Sequence, residues 1–269
     1  MNPLSRIRFF LCVFVLSSFF LVAERPLSNL IKHSQFGIGP EYVHVNLHVH
    51  ATKLVPASKF NGNTWGGTAF YEYKEPKGIY LNINGYWIGG TIHGSGTKRH
   101  FSDEKIESRF GYNFVYGCSE RWKIIPYFGF GYSNIRQTHV GAALATTRTP
   151  TYYIPVGCII SYAISDSFQM GTNIKWTPQV DATFKTSAIN HGRWALQKKY
   201  GLVVELPFTY SRQIAFACSS IKGSIGLVPY WRLLKKGSGT SFTHAGVETP
   251  IASQLYNFWG CKLLFALSY

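Results

Sequence analysis

The sequence is short of charge, of acid above all, and of long apolar runs. Lys, Arg, Asp and Glu make up 14% of its 269 residues, against about 25% in ordinary soluble domains. Twelve residues are acidic and 27 basic. Beyond residue 23 no apolar run approaches the roughly 20 residues a spanning helix needs, which excludes a polytopic helical membrane protein. Cysteine is sparse, at five residues without a CxxC spacing, so a zinc site is not expected. Aromatics, by contrast, reach 16% and glycines number 26. Disordered chains are poor in aromatics and rich in charge, so disorder is excluded too. The length suits one domain large enough to bury a core.

The first 23 residues read as an address. Arg6 and Arg8 precede an apolar stretch from Phe9 to Ala23, followed by Glu24-Arg25-Pro26. A positive start, a short apolar middle and a small final residue are the parts of a secretory signal peptide. Its removal would leave 25 basic residues against all 12 acids, a balance of +13. Cys118, Cys158, Cys218 and Cys261 would remain. An exported chain can oxidise them, but their spacing does not say which would pair.

From Tyr42 onward the dominant period is two, which puts successive side chains on opposite faces of a strand. One face of Tyr42–Ala51 is Val43, Val45, Leu47, Val49 and Ala51; the other holds His44, Asn46, His48 and His50. In 105–116 Ile106, Phe110, Tyr112, Phe114 and Tyr116 alternate with Glu107, Arg109, Gly111 and Asn113. Segments 122–133 and 168–181 repeat the pattern, and six more read as strands: 67–74, 79–93, 152–164, 196–208, 214–232 and 255–269. The parity of 214–232 slips near Lys222-Gly223, which suggests a bulge. Tight turns are expected at 75–78, 117–121, 165–167 and 209–213. Long loops are expected at 52–64, 94–104, 135–150, 182–194 and 233–251.

Short turns at one end and long loops at the other describe an all-β fold, a closed antiparallel transmembrane β-barrel of up-and-down topology. Ten strands are expected, with eight or twelve as alternatives. A bilayer leaves no backbone group unpaired, so a spanning sheet must close. The apolar face then meets lipid, and the polar face, with Glu72, Lys74, Glu107, Arg109, Lys123, Lys175, Lys199, Glu205 and Lys262, turns inward. Tyr71, Tyr73, Tyr116, Trp122, Tyr132, Tyr152, Tyr162, Trp176 and Tyr269 are placed as interfacial belts. A soluble sandwich or lipocalin-like barrel is the alternative.

Cys261, Leu263, Phe265, Leu267 and Tyr269 alternate to the last residue, an aromatic. This resembles the closing strand of bacterial outer-membrane proteins. Gly111-Tyr112-Asn113-Phe114, a short turn, then Pro126-Tyr127-Phe128-Gly129-Phe130-Gly131-Tyr132 resembles a hairpin of the outer membrane protein β-barrel domain class. The resemblance extends over most of residues 40–269. It implies a place in the bacterial outer membrane and recognition by the barrel-assembly machinery through the strand ending in Tyr269. It implies no activity, because the class shares an architecture rather than a reaction.

Candidate chemistry is thin. His44, His48 and His50 share a face and could supply metal ligands with a third donor such as His93, or simply line the lumen. Opposite charges inside a narrow barrel should pair and form a plug rather than a pore. Lys98, Arg99, Arg136, Arg148, Lys185, Arg193, Lys235 and Lys236 lie in or beside the expected loops, where they would meet the phosphates of lipopolysaccharide. Nucleic acid is not an expected partner of an exported barrel. Ser241-Phe242-Thr243-His244-Ala245-Gly246 faintly resembles the His-x-Ser-Asn-Ala-Gly stretch of lipid A 3-O-deacylase barrels, but Ser241 stands where the catalytic histidine would fall and Thr243 where the nucleophile would. Ten-stranded outer-membrane proteases use carboxylates and a histidine near the outer rim, where the acids here are Asp103, Glu104, Asp181 and Glu248. No Gly-rich phosphate loop, GxSxG or HExxH is present. Neither catalytic residues nor a cofactor is expected.

The chain therefore divides into a signal peptide (1–23), a periplasmic lead-in (24–40) and a barrel (41–269), with a structural or surface-interaction role. A narrow channel and a lipid A-modifying enzyme are the alternatives. N-terminal sequencing of the exported protein is expected to begin at Glu24; a start at Met1 would make the apolar stretch an anchor.

Overall fold

The alternating segments fold as long antiparallel strands. The computed structural model describes residues 33–268 except 53–55, 118–119, 141–145, 188–192, 198, 217–218, 240–241, 245–246 and 250. In chain order the strands are β1 His33–Val49, β2 Ser58–Lys74, β3 Gly78–Gly94, β4 Thr97–Tyr116, β5 Trp122–Val140, β6 Thr146–Tyr153, β7 Val156–Ala163 and β8 Phe168–Thr186. They continue with β9 Arg193–Ala195, β10 Tyr200–Glu205, β11 Phe208–Phe216, β12 Ser219–Lys236, β13 Phe242–His244, β14 Val247–Thr249 and β15 Gln254–Ser268. β13 and β14 pair only with each other; the remaining thirteen form one sheet.

That sheet closes on itself. Strands β1 to β5 pair in sequence. β6 and β7 lie end to end between β5 and β8. β10 and β11 lie end to end between β8 and β12. β12 pairs with β15, and β15 with β1 from Gln35↔Ser268 to Val49↔Gln254. The two interruptions fall at Pro155 and Pro207, which cannot donate to a ladder. The backbone still bridges them, since Ile154 N donates to Pro178 O (3.1 Å) and Leu206 N to Pro229 O (2.9 Å). β1 starts and β15 ends on the side that carries the short turns, because Gln35 faces both Ser268 and Glu72.

Five expected loops are largely strand. β2 already begins at Ser58, and β5 runs to Val140, β8 to Thr186 and β12 to Lys236. The 94–104 loop shrinks to Ser95-Gly96, both with positive φ (49° and 71°), the pairing that a two-residue hairpin turn requires. The expected turn at 209–213 lies within β11; that hairpin turns between Phe216 and Ser219. The parity slip near Lys222 is this reversal rather than a bulge, for Gln213↔Lys222 and Arg212↔Gly223 pair regularly. β1 begins at His33, so residues 33–40 of the expected lead-in belong to the ring.

The strands are taller than a membrane. β1 to β3 have 17 residues each and β4 has 20. At about 3.3 Å per residue and a tilt near 40°, 17 residues rise about 40 Å, while the lipid-facing band of such barrels is about 25 Å. The surface divides accordingly. Toward the turn end the outward side chains are Phe36, Ile38, Tyr71, Ile79, Ile83, Ile106, Phe110, Phe128, Phe130, Leu263, Phe265 and Leu267, all well exposed. So extended an apolar exterior requires a bilayer. Outward-facing Tyr42, Trp65, Trp87, Tyr132, Tyr152 and Trp259 bound it on the far side, as an interfacial belt should.

Beyond that belt the pattern changes hands. On β1 the outward residues become His44, Asn46 and His48, while Val43, Val45 and Leu47 are fully buried. They join Phe60, Ile88, Ile92, Phe101, Ile135, Tyr256 and Phe258 in an apolar core inside the ring. The histidines expected in the lumen therefore face outward, and the valines expected against lipid face inward. The physical reason is solvent. Past the bilayer the exterior is water, so the apolar half of each strand must turn to the centre.

Ring closure has a direct check. Asn46 and Asn257 face each other across the β1–β15 seam, at a separation disulfides accept. The double variant Asn46→Cys, Asn257→Cys is expected to form an intrachain disulfide and stay heat-modifiable on gels. Thiols that remain reduced under oxidation would mean an open seam.

Candidate functional site

The interior is filled level by level. Nearest the turn end, Tyr80, Ile125 and Tyr127 pack together, and the Arg109 guanidinium lies 5.1 Å from the Tyr127 ring. Alternation brings these residues inward, and glycines make room for them. A Cβ on Gly131 would stand 2.2 Å from the Tyr153 ring, and one on Gly157 would meet the Tyr127 hydroxyl at 2.6 Å.

The next level is a cage of charge around Glu107. Its carboxylate meets Arg109 Nε at 2.7 Å, Lys105 Nζ at 2.8 Å and Lys175 Nζ at 2.8 and 3.1 Å. Tyr153 donates its hydroxyl to the same group at 2.9 Å. Close by, Lys262 pairs with Glu205 at 2.8 Å, and Asn173 donates to Glu205 and accepts from Tyr127. The expected plug residues Glu107, Arg109, Lys175 and Glu205 are thus brought together. Glu72 pairs instead with Lys74 near the turn end, at 3.0 Å. Such pairs add little net stability against an apolar filling, but removing one partner strands a buried charge.

Higher still, Tyr230 donates to Glu41 at 2.5 Å. Arg232 meets Asp103 at 2.5 Å, and Tyr86 donates to Asp103 at 2.8 Å and accepts from Arg232. Glu41 and Asp103 were not among the expected lumen charges; extending the parity of Glu107 and Arg109 back along β4 would have placed Asp103 inward, whereas Glu41 shares the parity of Val43, which was assigned to lipid. A cavity of about 30 Å³ lies beside Lys105, Tyr153, Thr177, Gln179 and Arg232, room for one or two waters.

Above the belt lies the apolar core, with Arg99 stacked 3.8 Å over the Phe60 ring and bonded to Gln137 at 2.9 Å. Arg99 and Lys236 were expected in surface loops, but both point inward. Lys236 is buried, and its Nζ has no hydrogen-bond partner. Burial pushes its pKa down to about 7. Burial, with the nearby Arg99 charge, also pushes His139 down.

The remaining sequence candidates are dispersed. His44 Nδ1 bonds Asn63 at 2.8 Å on the outer wall, and His48, His50 and His93 are exposed. Among the described residues no three His, Cys, Asp or Glu side chains stand where they could share a metal. Cys158 and Cys261 are free thiols on outward faces; Cys118 and Cys218 lie outside the described residues, as do Ser241 and Tyr269. Thr243 and His244 belong to the small β13–β14 hairpin.

With this geometry in hand, the molecule has clear structural counterparts. The Escherichia coli outer-membrane protease OmpT superposes with a TM-score of 0.55 at 10% identity, over 90% of this chain and 98% of that one. The fold is that of a bacterial outer-membrane β-barrel. Ail of Yersinia pestis gives a TM-score of 0.36 at 13% identity, over 57% of this chain and 92% of its own. The translocator domain of the autotransporter NalP from Neisseria meningitidis gives 0.38 at 9%, over 96% and 95%. At such identities the likeness is one of fold. No protein-family model and no curated protein matches the sequence.

Within this barrel Lys236 makes stability depend on pH. Its folded pKa lies below that of an unfolded lysine, near 10.4, so the unfolded chain binds more protons between about 7 and 10. Stability therefore rises with pH over that window. Lys236→Met is expected to stabilise the barrel by about 2–4 kcal/mol at pH 7 and to flatten the rise toward pH 10. Urea titrations followed by gel mobility check both; a less stable variant at pH 7 would show that the amine has a partner.

Proposed function

We propose that the protein is a ten-pass outer-membrane barrel whose sealed interior serves as an anchor and whose part beyond the bilayer serves as an interaction surface. The ten passes follow from counting β6 with β7, and β10 with β11, as single crossings broken at prolines, with β9 extending the second of them along β8. One observation carries the reading: the bore is occupied at every level, by the Tyr80–Tyr127 cluster, the Glu107 cage and the apolar core above them. A cavity of about 30 Å³ is far too small to be a conduit. What varies from level to level is the outer wall, where Lys59, His93, Lys98, His100, Arg148 and Lys185 face water beyond the belt.

We regard the protein as non-enzymatic. Two of the acids expected near the outer rim are engaged in holding cations, Asp103 with Arg232 and Glu104 with Arg136. The partners we assign are outer-leaflet glycolipid, through the basic wall, and the barrel-assembly machinery, through the closing strand. Nucleic acid is not among them. Purified protein in planar bilayers is expected to give no stepwise conductance. Reproducible unitary steps, absent from mock preparations, would overturn the anchor reading in favour of a channel.

A further inference from the structure

Three adjacent strands carry a cation at one register row. Arg136 on β5 stands directly opposite Arg148 on β6, and Arg148 opposite Lys185 on β8. Directly opposed residues share a face, with Cβ atoms about 4.5–5.5 Å apart, and like charges so placed destabilise a sheet. Arg148 and Lys185 are exposed and Arg136 is partly so. One acid stands beside the row: Glu104 on β4 meets Arg136 Nη2 at 3.1 Å and accepts from Asn134 at 2.6 Å. It balances one end of the row and holds Arg136 in place. The positive charge that remains asks for an anion from outside.

Position says which anion. Arg136 is four residues beyond Tyr132, and Arg148 four residues from Tyr152, both outward aromatics of the belt. Four residues of tilted strand are about 10 Å of height, so the row faces sideways into the headgroup layer. Two strand spacings, about 10 Å, separate its ends, a span that admits more than one phosphoryl group. Arginine offers paired N–H donors suited to phosphate oxygens. The next row outward adds hydroxyls, Thr138 facing Thr146 at 3.1 Å.

We propose that Arg136, Arg148 and Lys185 form a binding site for the phosphoryl groups of a phosphorylated glycolipid in the outer leaflet. The proposal rests on the reading of the outer wall as an interaction surface and gives that surface its ligand. A soluble polyanion would share the phosphate or sulfate chemistry. It would approach from the rim, however, whereas this row lies on the side wall within reach of the lipid.

The test compares detergent-purified wild type with R148Q/K185Q and, as a control, the exposed pair K77Q/R121Q at the turn end. Four probes are used: phosphorylated lipopolysaccharide, the same lipid after enzymatic dephosphorylation, inorganic phosphate and a sulfated polysaccharide. The wild type is expected to bind the phosphorylated lipid at least about tenfold more tightly than the dephosphorylated one, with affinity falling as salt rises. R148Q/K185Q should lose about tenfold, and K77Q/R121Q should bind like the wild type. Inorganic phosphate should compete only at millimolar levels, which marks the lipid as the source. Equal binding of both lipids, or an unchanged double variant, would overturn the site. A sulfated polysaccharide bound more tightly than the lipid, through the same residues, would overturn the lipid assignment and leave the interaction surface standing. Failure of the wild type to bind any of these anions would sink both.

Discussion

Backbone pairing in a medium without water governs this molecule. Each strand that crosses hydrocarbon must bond on both edges, so the sheet has to meet itself, as it does at β1 and β15. Closure assigns alternate residues irrevocably to an inner and an outer face. It does not say which face is apolar. That depends on the surroundings at each height, lipid around Phe36 and Phe265 and water around His44 and Asn61. One continuous strand therefore carries two opposite hydrophobic patterns, joined at the belt of Tyr42, Trp65 and Trp87.

The inner face faces the complementary problem. Within the bilayer zone its polar groups cannot reach bulk water, and they satisfy one another instead. Glu107 with three cations and a tyrosine, and Asp103 with Arg232 and Tyr86, show the solution. Glycines on neighbouring strands give up volume so that tyrosines can cross the bore. Lys236 sits where charge finds no such company, and its proton affinity falls accordingly.

Much of the lower half was legible from residues alone. Ile106, Phe110 and Phe128 outward with Glu107, Arg109 and Lys175 inward follow from period two plus the need to pair buried charge, and the structure agrees. The upper half misled for a definite reason. Thr138, Thr146 and Arg148 look like loop because turn-forming and polar residues abound there, yet they are strands whose polar side faces water. His44, His48 and His50 looked like lumen because their apolar neighbours were assigned to lipid, an assignment that holds only at bilayer height. Pro155 and Pro207 broke the ladder locally without ending a crossing, and the β11–β12 reversal was hidden inside a run that reads as a single strand.

By itself, the order of residues determined the class of fold and the direction of the lower side chains, because alternation and amphipathicity are local properties of a strand. The height of the ring, the inversion of its core, the belt of Tyr42, Trp65, Trp87 and Trp259 and the meeting of Arg136, Arg148 and Lys185 on one row were decided only in three dimensions. Register between strands depends on where every hairpin turns, and no single segment contains that information.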